Sequence, residues 1–144
     1  VTWGKVRFGG DSSAVADRLS AGVTSITGND MAFAALKDAG DVVTWGSADG
    51  GADSRAVVPR LAAGVTCIKG NVGAFAVLKD TGEVVTWGSA GNGGDSSAVA
   101  DRLAAGVTSI LCTRLAFAAL KEVGEVVTRG NAGDGGDSSF VADR

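Results

Sequence analysis

Apolar residues along the chain gather in short runs, each broken by glycine, aspartate or serine, and the runs recur at constant spacing. Val1-Thr2-Trp3-Gly4 returns as Val43-Thr44-Trp45-Gly46, as Val85-Thr86-Trp87-Gly88 and as Val127-Thr128-Arg129-Gly130, a period of 42 residues without gaps. Within one unit, Ala32-Phe33-Ala34-Ala35-Leu36-Lys37 and Asp41-Val42-Val43-Thr44-Trp45 flank Asp38-Ala39-Gly40. This pattern predicts a hairpin whose turn glycine takes positive φ. Asp80-Thr81-Gly82-Glu83 and Glu122-Val123-Gly124-Glu125 repeat the turn. Gly22-Val23-Thr24-Ser25-Ile26, with counterparts starting at Gly64 and Gly106, is β-branched and bounded by glycine, and predicts a third strand. The stretch from Asp11 to Leu19 has a capping residue at its start and Gly22 as a stop, which reads as a short helix. Pro59 replaces Asp17 in the second unit, where it removes a needed N–H, so a single turn or an extended edge strand is expected there.

Three or four short strands in about 42 residues is the size of one propeller blade, and strands apolar on both faces need a neighbour on each side. The expected fold is therefore all-β: one tandem-repeat domain over 1–144, a β-propeller segment of about three and a half blades. Its units are 1–42, 43–84, 85–126 and a partial 127–144. A β-solenoid is the alternative. Trp3, Trp45 and Trp87 close apolar strands at one register and are expected in the core between blades. Three and a half blades do not close a ring, so closure is expected from additional repeats or other subunits, the chain being part of something longer or of an assembly.

The hairpin, Ala-Phe-Ala-x-Leu-Lys-x-x-Gly-x-Val-Val-Thr-Trp-Gly, resembles the regulator of chromosome condensation repeat, whose core reads Ala-Leu-x-x-x-Gly-x-Val-x-x-Trp-Gly. Its best instances are Ala74 to Lys79 with Gly82 through Gly88, and Ala116 to Lys121 with Gly124, Val126 and Val127. The resemblance implies a β-propeller, commonly of seven blades, of the kind used in chromatin-bound nucleotide-exchange factors and in large HECT-linked ubiquitin ligases. The family's unit is longer and carries Asn-x-x-Gly-Gln-Leu-Gly after Trp-Gly, where this chain has Gly9-Gly10-Asp11-Ser12-Ser13. No position here matches an exchange site, so that activity is not carried over.

A net charge of −3 and a pI near 4.8 argue against a phosphate-binding surface, and no nucleic-acid partner is expected. No apolar run reaches the roughly 18 residues a membrane span needs. The chain has no histidine and no tyrosine, which removes the commonest general base and every Ser-His or Cys-His pair. Its carboxylates are spread one set per unit, unlike a differentiated acid and base pair. Catalysis is not expected. Cys67 and Cys112 occupy different positions of their units, giving neither a disulfide framework nor a metal spacing, and no cofactor is expected. Gly91-Asn92-Gly93-Gly94 lacks the Lys-Ser/Thr of a phosphate loop and reads as turn chemistry.

The most regular polar pair is Asp11 with Arg18, repeated as Asp53 with Arg60, Asp95 with Arg102 and Asp137 with Arg144, and it is expected to clamp each loop. Arg129 takes a tryptophan position and Phe140 an alanine position in the last unit. Leu111-Cys112-Thr113-Arg114-Leu115 is apolar where its counterparts are turn-like. Arg129, Phe140, Leu111, Arg114 and Leu115 are therefore the candidate contacts for a protein partner or a larger complex. These features add up to a non-enzymatic scaffold. A regulatory propeller of the nucleotide-exchange or ubiquitin-ligase type and a carbohydrate-binding propeller are the alternatives.

Overall fold

In the computed structural model, which describes residues 1–139, the apolar runs form three separate three-stranded antiparallel sheets in the orders β1-β2-β3, β4-β5-β6 and β7-β8-β9. The first sheet comprises β1 (Val23–Gly28), β2 (Ala32–Lys37) and β3 (Val42–Gly46). The second holds β4 (Val65–Gly70), β5 (Ala74–Lys79) and β6 (Val84–Gly88). The third holds β7 (Val107–Cys112), β8 (Ala116–Lys121) and β9 (Val126–Gly130). The hairpin and the third strand stand where the pattern places them. Each turn glycine has positive φ, 79° at Gly40, 76° at Gly82 and 84° at Gly124.

The first strand of each sheet carries a β-bulge, between Val23 and Ser25, Val65 and Cys67, and Val107 and Ser109. The bulged residue is always threonine. Thr24, Thr66 and Thr108 each donate their hydroxyl to the carbonyl of the leucine across the ladder, Leu36, Leu78 and Leu120, which satisfies an acceptor at the irregularity.

Ahead of each sheet, the chain makes short helical turns. Ser13–Val15 leads into α1 (Ala16–Leu19), and Ser97–Val99 leads into α2 (Ala100–Leu103). In the middle unit, Pro59 sits inside a 3-10 turn, Arg55–Arg60, and no α-helix forms. The six residues make about two 3-10 turns where a single turn or an edge strand was expected, and no edge strand occurs there.

Alternation along the strands sorts side chains onto two unlike faces. Each sheet presents small residues, Ala32, Ala34 and Val42 in the first, to the large residues Val65, Ile68, Phe75 and Val77 of the next. The pairing recurs one sheet on, where Ala74, Ala76 and Val84 meet Val107, Ile110, Phe117 and Ala119. Small against large gives the close approach that lets Thr27 donate to Ile68 O across the gap.

The unit count needs correction. Residues 127–130 complete the third sheet as the main part of β9 and do not start a fourth, and Val1–Gly4 belongs to no sheet. The described residues thus form three sheets where three and a half blades were expected, each sheet straddling a boundary of the units counted from Val1.

Candidate functional site

The rim of the stack is where the repeated polar residues meet, and their partners differ from the expected ones. Asp11, Asp95 and Asp137 each accept the backbone N–H two residues on, from Ser13, Ser97 and Ser139, at 2.9 Å. Hydrogen bonds from those serines hold all three carboxyls below the usual aspartate range. Asp53 accepts from the Arg55 side chain at 2.6 and 2.9 Å, and this pair holds its pKa at about 2. The arginines reach elsewhere. Arg18 lies 3.6 Å from Asp41 and donates to Val42 O; Arg60 pairs with Glu83 at 2.6 Å and Arg102 with Glu125 at 2.7 Å. Among the described residues, the expected clamp between aspartate and arginine seven residues apart is not formed in any of the three pairs, Asp11 with Arg18, Asp53 with Arg60 and Asp95 with Arg102. A tight Asx turn claims each aspartate locally, and the arginine fork extends to the turn carboxylate of the sheet that follows it. Arg144, the last member of the series, and Phe140 lie outside the described residues.

Two uncharged pairs hold the loops. Thr44, Thr86 and Thr128 donate to the carbonyls of Ala52, Gly94 and Gly136 and share hydroxyl hydrogen bonds of 2.9–3.0 Å with Ser54, Ser96 and Ser138. Thr2 does the same with Gly10 O and Ser12. Asn29 and Asn71 accept backbone N–H groups within their own turns and donate to Gly50 O and Asn92 O at 2.7 Å. Sequence reasoning passed over both sets. Their signal was present, threonine and serine ten residues apart in every unit and asparagine at equal positions in two units.

Tryptophan staples neighbouring repeats. Trp45 stacks on Phe33 and donates Nε1–H to Gly9 O at 3.1 Å; Trp87 stacks on Phe75 and donates to Gly51 O at 2.8 Å. Both are buried, as expected, and so cannot serve as sugar platforms. In the third sheet, Arg129 stands opposite Phe117 and donates Nε–H to Asp95 O at 2.9 Å. It therefore serves an internal bond in the staple position. Trp3 departs from expectation: it belongs to no sheet, and the residue is 85% exposed.

The end faces of the stack are its exposed apolar surface. Ile26 is 58% exposed, while its counterparts Ile68 and Ile110, each covered by a preceding sheet, are at 8% and 4%. At the opposite end, Leu120 is 43% and Val126 47% exposed, whereas Val42 and Val84 are at 6% and 4%. Leu111 joins this second face, because β7 runs through Leu111 to Cys112 and turns the first part of the expected apolar loop into strand. Arg114 is exposed, Leu115 half-buried, and Arg114 O accepts from Val72 N. An open cleft of about 1030 Å³ lies along β9, bordered by Arg102, Glu125, Val126, Arg129 and Asp137. Among the described residues, no three His, Cys, Asp or Glu side chains converge as a metal cluster, and no helix is long and apolar enough to cross a membrane.

These features define a mostly β tandem-repeat protein of stacked three-stranded antiparallel sheets. Among solved structures, it is similar to human WBSCR16, with a TM-score of 0.55 and 19% identity over 79% of this chain. It spans about a third of that protein's length, 35%, and the likeness is one of fold. No family model and no curated protein sequence matches the chain.

Proposed function

We propose that the chain is a segment of a β-propeller of the regulator of chromosome condensation type that acts as a non-enzymatic scaffold, holding protein on the two end faces of its stack. One observation carries this reading: positions buried wherever two sheets meet, Ile68, Ile110, Val42 and Val84, are open at Ile26 and Val126. Burying one aliphatic side chain of this size fully stabilises a complex by roughly 1.5–3 kcal/mol, so two such faces supply real driving force for association. The Ala-Phe-Ala-x-Leu-Lys hairpin ending in Trp-Gly and the fold likeness to human WBSCR16 support the propeller part of the reading. Ring closure then comes from further sheets of the same kind, in the same chain or in another subunit.

The test is photo-crosslinking within the native assembly, from a reactive residue placed at Ile26, at Leu120 and at the exposed control Thr66 on the covered middle sheet. Cross-links to polypeptide are expected from the first two sites and not from the third. Equal yields from all three would show that the end faces hold nothing and would end the scaffold reading.

A further inference from the structure

Each rim arginine has a lysine and a turn carboxylate at matching positions: Arg18 with Lys37 and Asp41, Arg60 with Lys79 and Glu83, Arg102 with Lys121 and Glu125. In the second and third sets, one glutamate serves both cations. Glu83 accepts from Arg60 Nε at 2.9 Å and from its Nη2 at 2.6 Å, and its other oxygen lies 3.8 Å from Lys79 Nζ. Glu125 accepts from Arg102 Nε at 2.8 Å and lies 3.8 Å from Lys121 Nζ. Asp41 is one methylene shorter. Its carboxylate stops 3.6 Å from Arg18, beyond hydrogen-bond reach, and among the described residues Lys37 makes no ion pair. Arg18 donates through Nη2 to Val42 O at 3.2 Å, while its Nε meets no acceptor among the described residues.

Beside this half-used fork is a cavity of about 190 Å³, lined by Arg18 and Asp41 on one side and by Val42, Val58 and Leu61 among its apolar residues. Val42 and Leu61 are buried, and Val58, half exposed, stands where the other units have Ala16 and Ala100. Pockets for drug-sized molecules run to roughly 300–1,000 Å³, so this one has room for a side chain. Its lining lies between residues 18 and 62, where the first sheet meets the turn of the next unit. We infer that this cleft takes a glutamate side chain from a partner polypeptide. The incoming carboxylate bridges Arg18 Nε and Lys37 as Glu83 bridges Arg60 and Lys79, and a small apolar side chain next to it fills the cavity against Val58 and Leu61. The charge-assisted bond to a guanidinium fork selects a carboxylate over an amide of the same shape. In the other two sets the place is already taken by a glutamate of the chain itself, which is why the first set alone is open. The inference goes beyond the reading of the end faces and does not depend on it.

NMR titration of the isotope-labelled chain, followed at the Arg18 Nε–H resonance in low-salt buffer, tests it. The probe is the dipeptide N-acetyl-Glu-Val-amide, with the glutamine counterpart as control. A shift that saturates in the millimolar range is expected with the glutamate peptide and none with the glutamine peptide. Asp41→Glu supplies the resident carboxylate that Glu83 and Glu125 supply elsewhere and is expected to weaken binding at least about tenfold. Glu83→Asp opens the second set and is expected to make Arg60 respond as Arg18 does; the backbone amide spectra of both variants report that the fold is kept. An Arg18 resonance unmoved by the glutamate peptide overturns the proposal, as does one moved equally by the glutamine peptide or one that responds as strongly in Asp41→Glu as in the parent. Isovalerate, a branched acid small enough for the cavity, tests the other source of a carboxylate: its binding without the peptide's gives the cleft to a free acid and overturns the polypeptide partner. None of these failures touches cross-linking through Ile26 and Leu120, so the scaffold reading stands or falls separately.

Discussion

The Thr86 hydroxyl occupies a nearly buried site that a valine methyl would fill equally well, yet it donates to Gly94 O at 3.1 Å and shares a second hydrogen bond of 2.9 Å with the Ser96 hydroxyl. Thr86→Val keeps the volume and strands two partners, and is expected to cost about 1–2 kcal/mol in urea unfolding. Asp95→Ala removes only an exposed Asx-turn acceptor and is expected to cost clearly less. The ranking inverts what charge suggests. Aspartate and arginine recur in every unit and draw the eye, but both lie at the solvent-facing rim, where ion pairs contribute little. The pairing of Arg60 with Glu83 was hidden because its members lie 23 residues apart and belong to different structural elements. Sequence proximity favoured the aspartate seven residues away, whose lone pairs are occupied within its own turn.

At the scale of elements, the same hairpin turn occurs in two environments. Gly82 has φ 76°, and a methyl group built on it would lie 2.7 Å from Gly106 N of the next repeat, beside the bond from Val107 N to Gly82 O. Gly124 has φ 84°, and a methyl group there meets nothing within 4 Å. Gly124→Ala is expected to cost only the left-handed backbone penalty, about 1–2 kcal/mol, while Gly82→Ala adds a backbone clash and is expected to cost at least about 1 kcal/mol more, both read from thermal or urea unfolding. The nine strands were legible because alternation and glycine turns are local signals. The grouping was less so. The period alone does not say where a unit begins, and only the ladder from β8 to β9 assigns Val127–Gly130 to the third sheet. The staple role of Trp45 was half legible: burial followed from the apolar run, but the bond to Gly9 O spans 36 residues and depends on how the repeats stack.

For the molecule as a whole, the three sheets are nearly the same sequence in unequal surroundings, which makes stability a property of position in the stack. The second sheet has a neighbour on both faces, and its Phe75, Val77 and Val85 are fully buried. The first leaves Ile26 open and the third leaves Leu120 and Val126 open. In a linear array, each unit is held by its own bonds plus the interfaces it shares, so the middle sheet has one more interface than either end. Local opening of an end sheet breaks one interface, whereas exposing the middle sheet breaks two or unfolds the chain. Amide exchange on dilute protein is therefore expected to be slowest in β5, at Ala76 and Val77, and at least about tenfold faster at the matching Ala34 and Ala35 of β2 and Ala118 and Ala119 of β8, since 1.4 kcal/mol of interface is a factor of ten. Uniform protection across the three sheets would mean that they open as one unit and that the interfaces outweigh any end effect. Covering the end faces acts on this gradient directly. A partner seated on Ile26 and on Leu120 gives the outer sheets the second interface they lack, so exchange at Ala35 and Ala119 is expected to slow toward that of Val77, while β5 changes least.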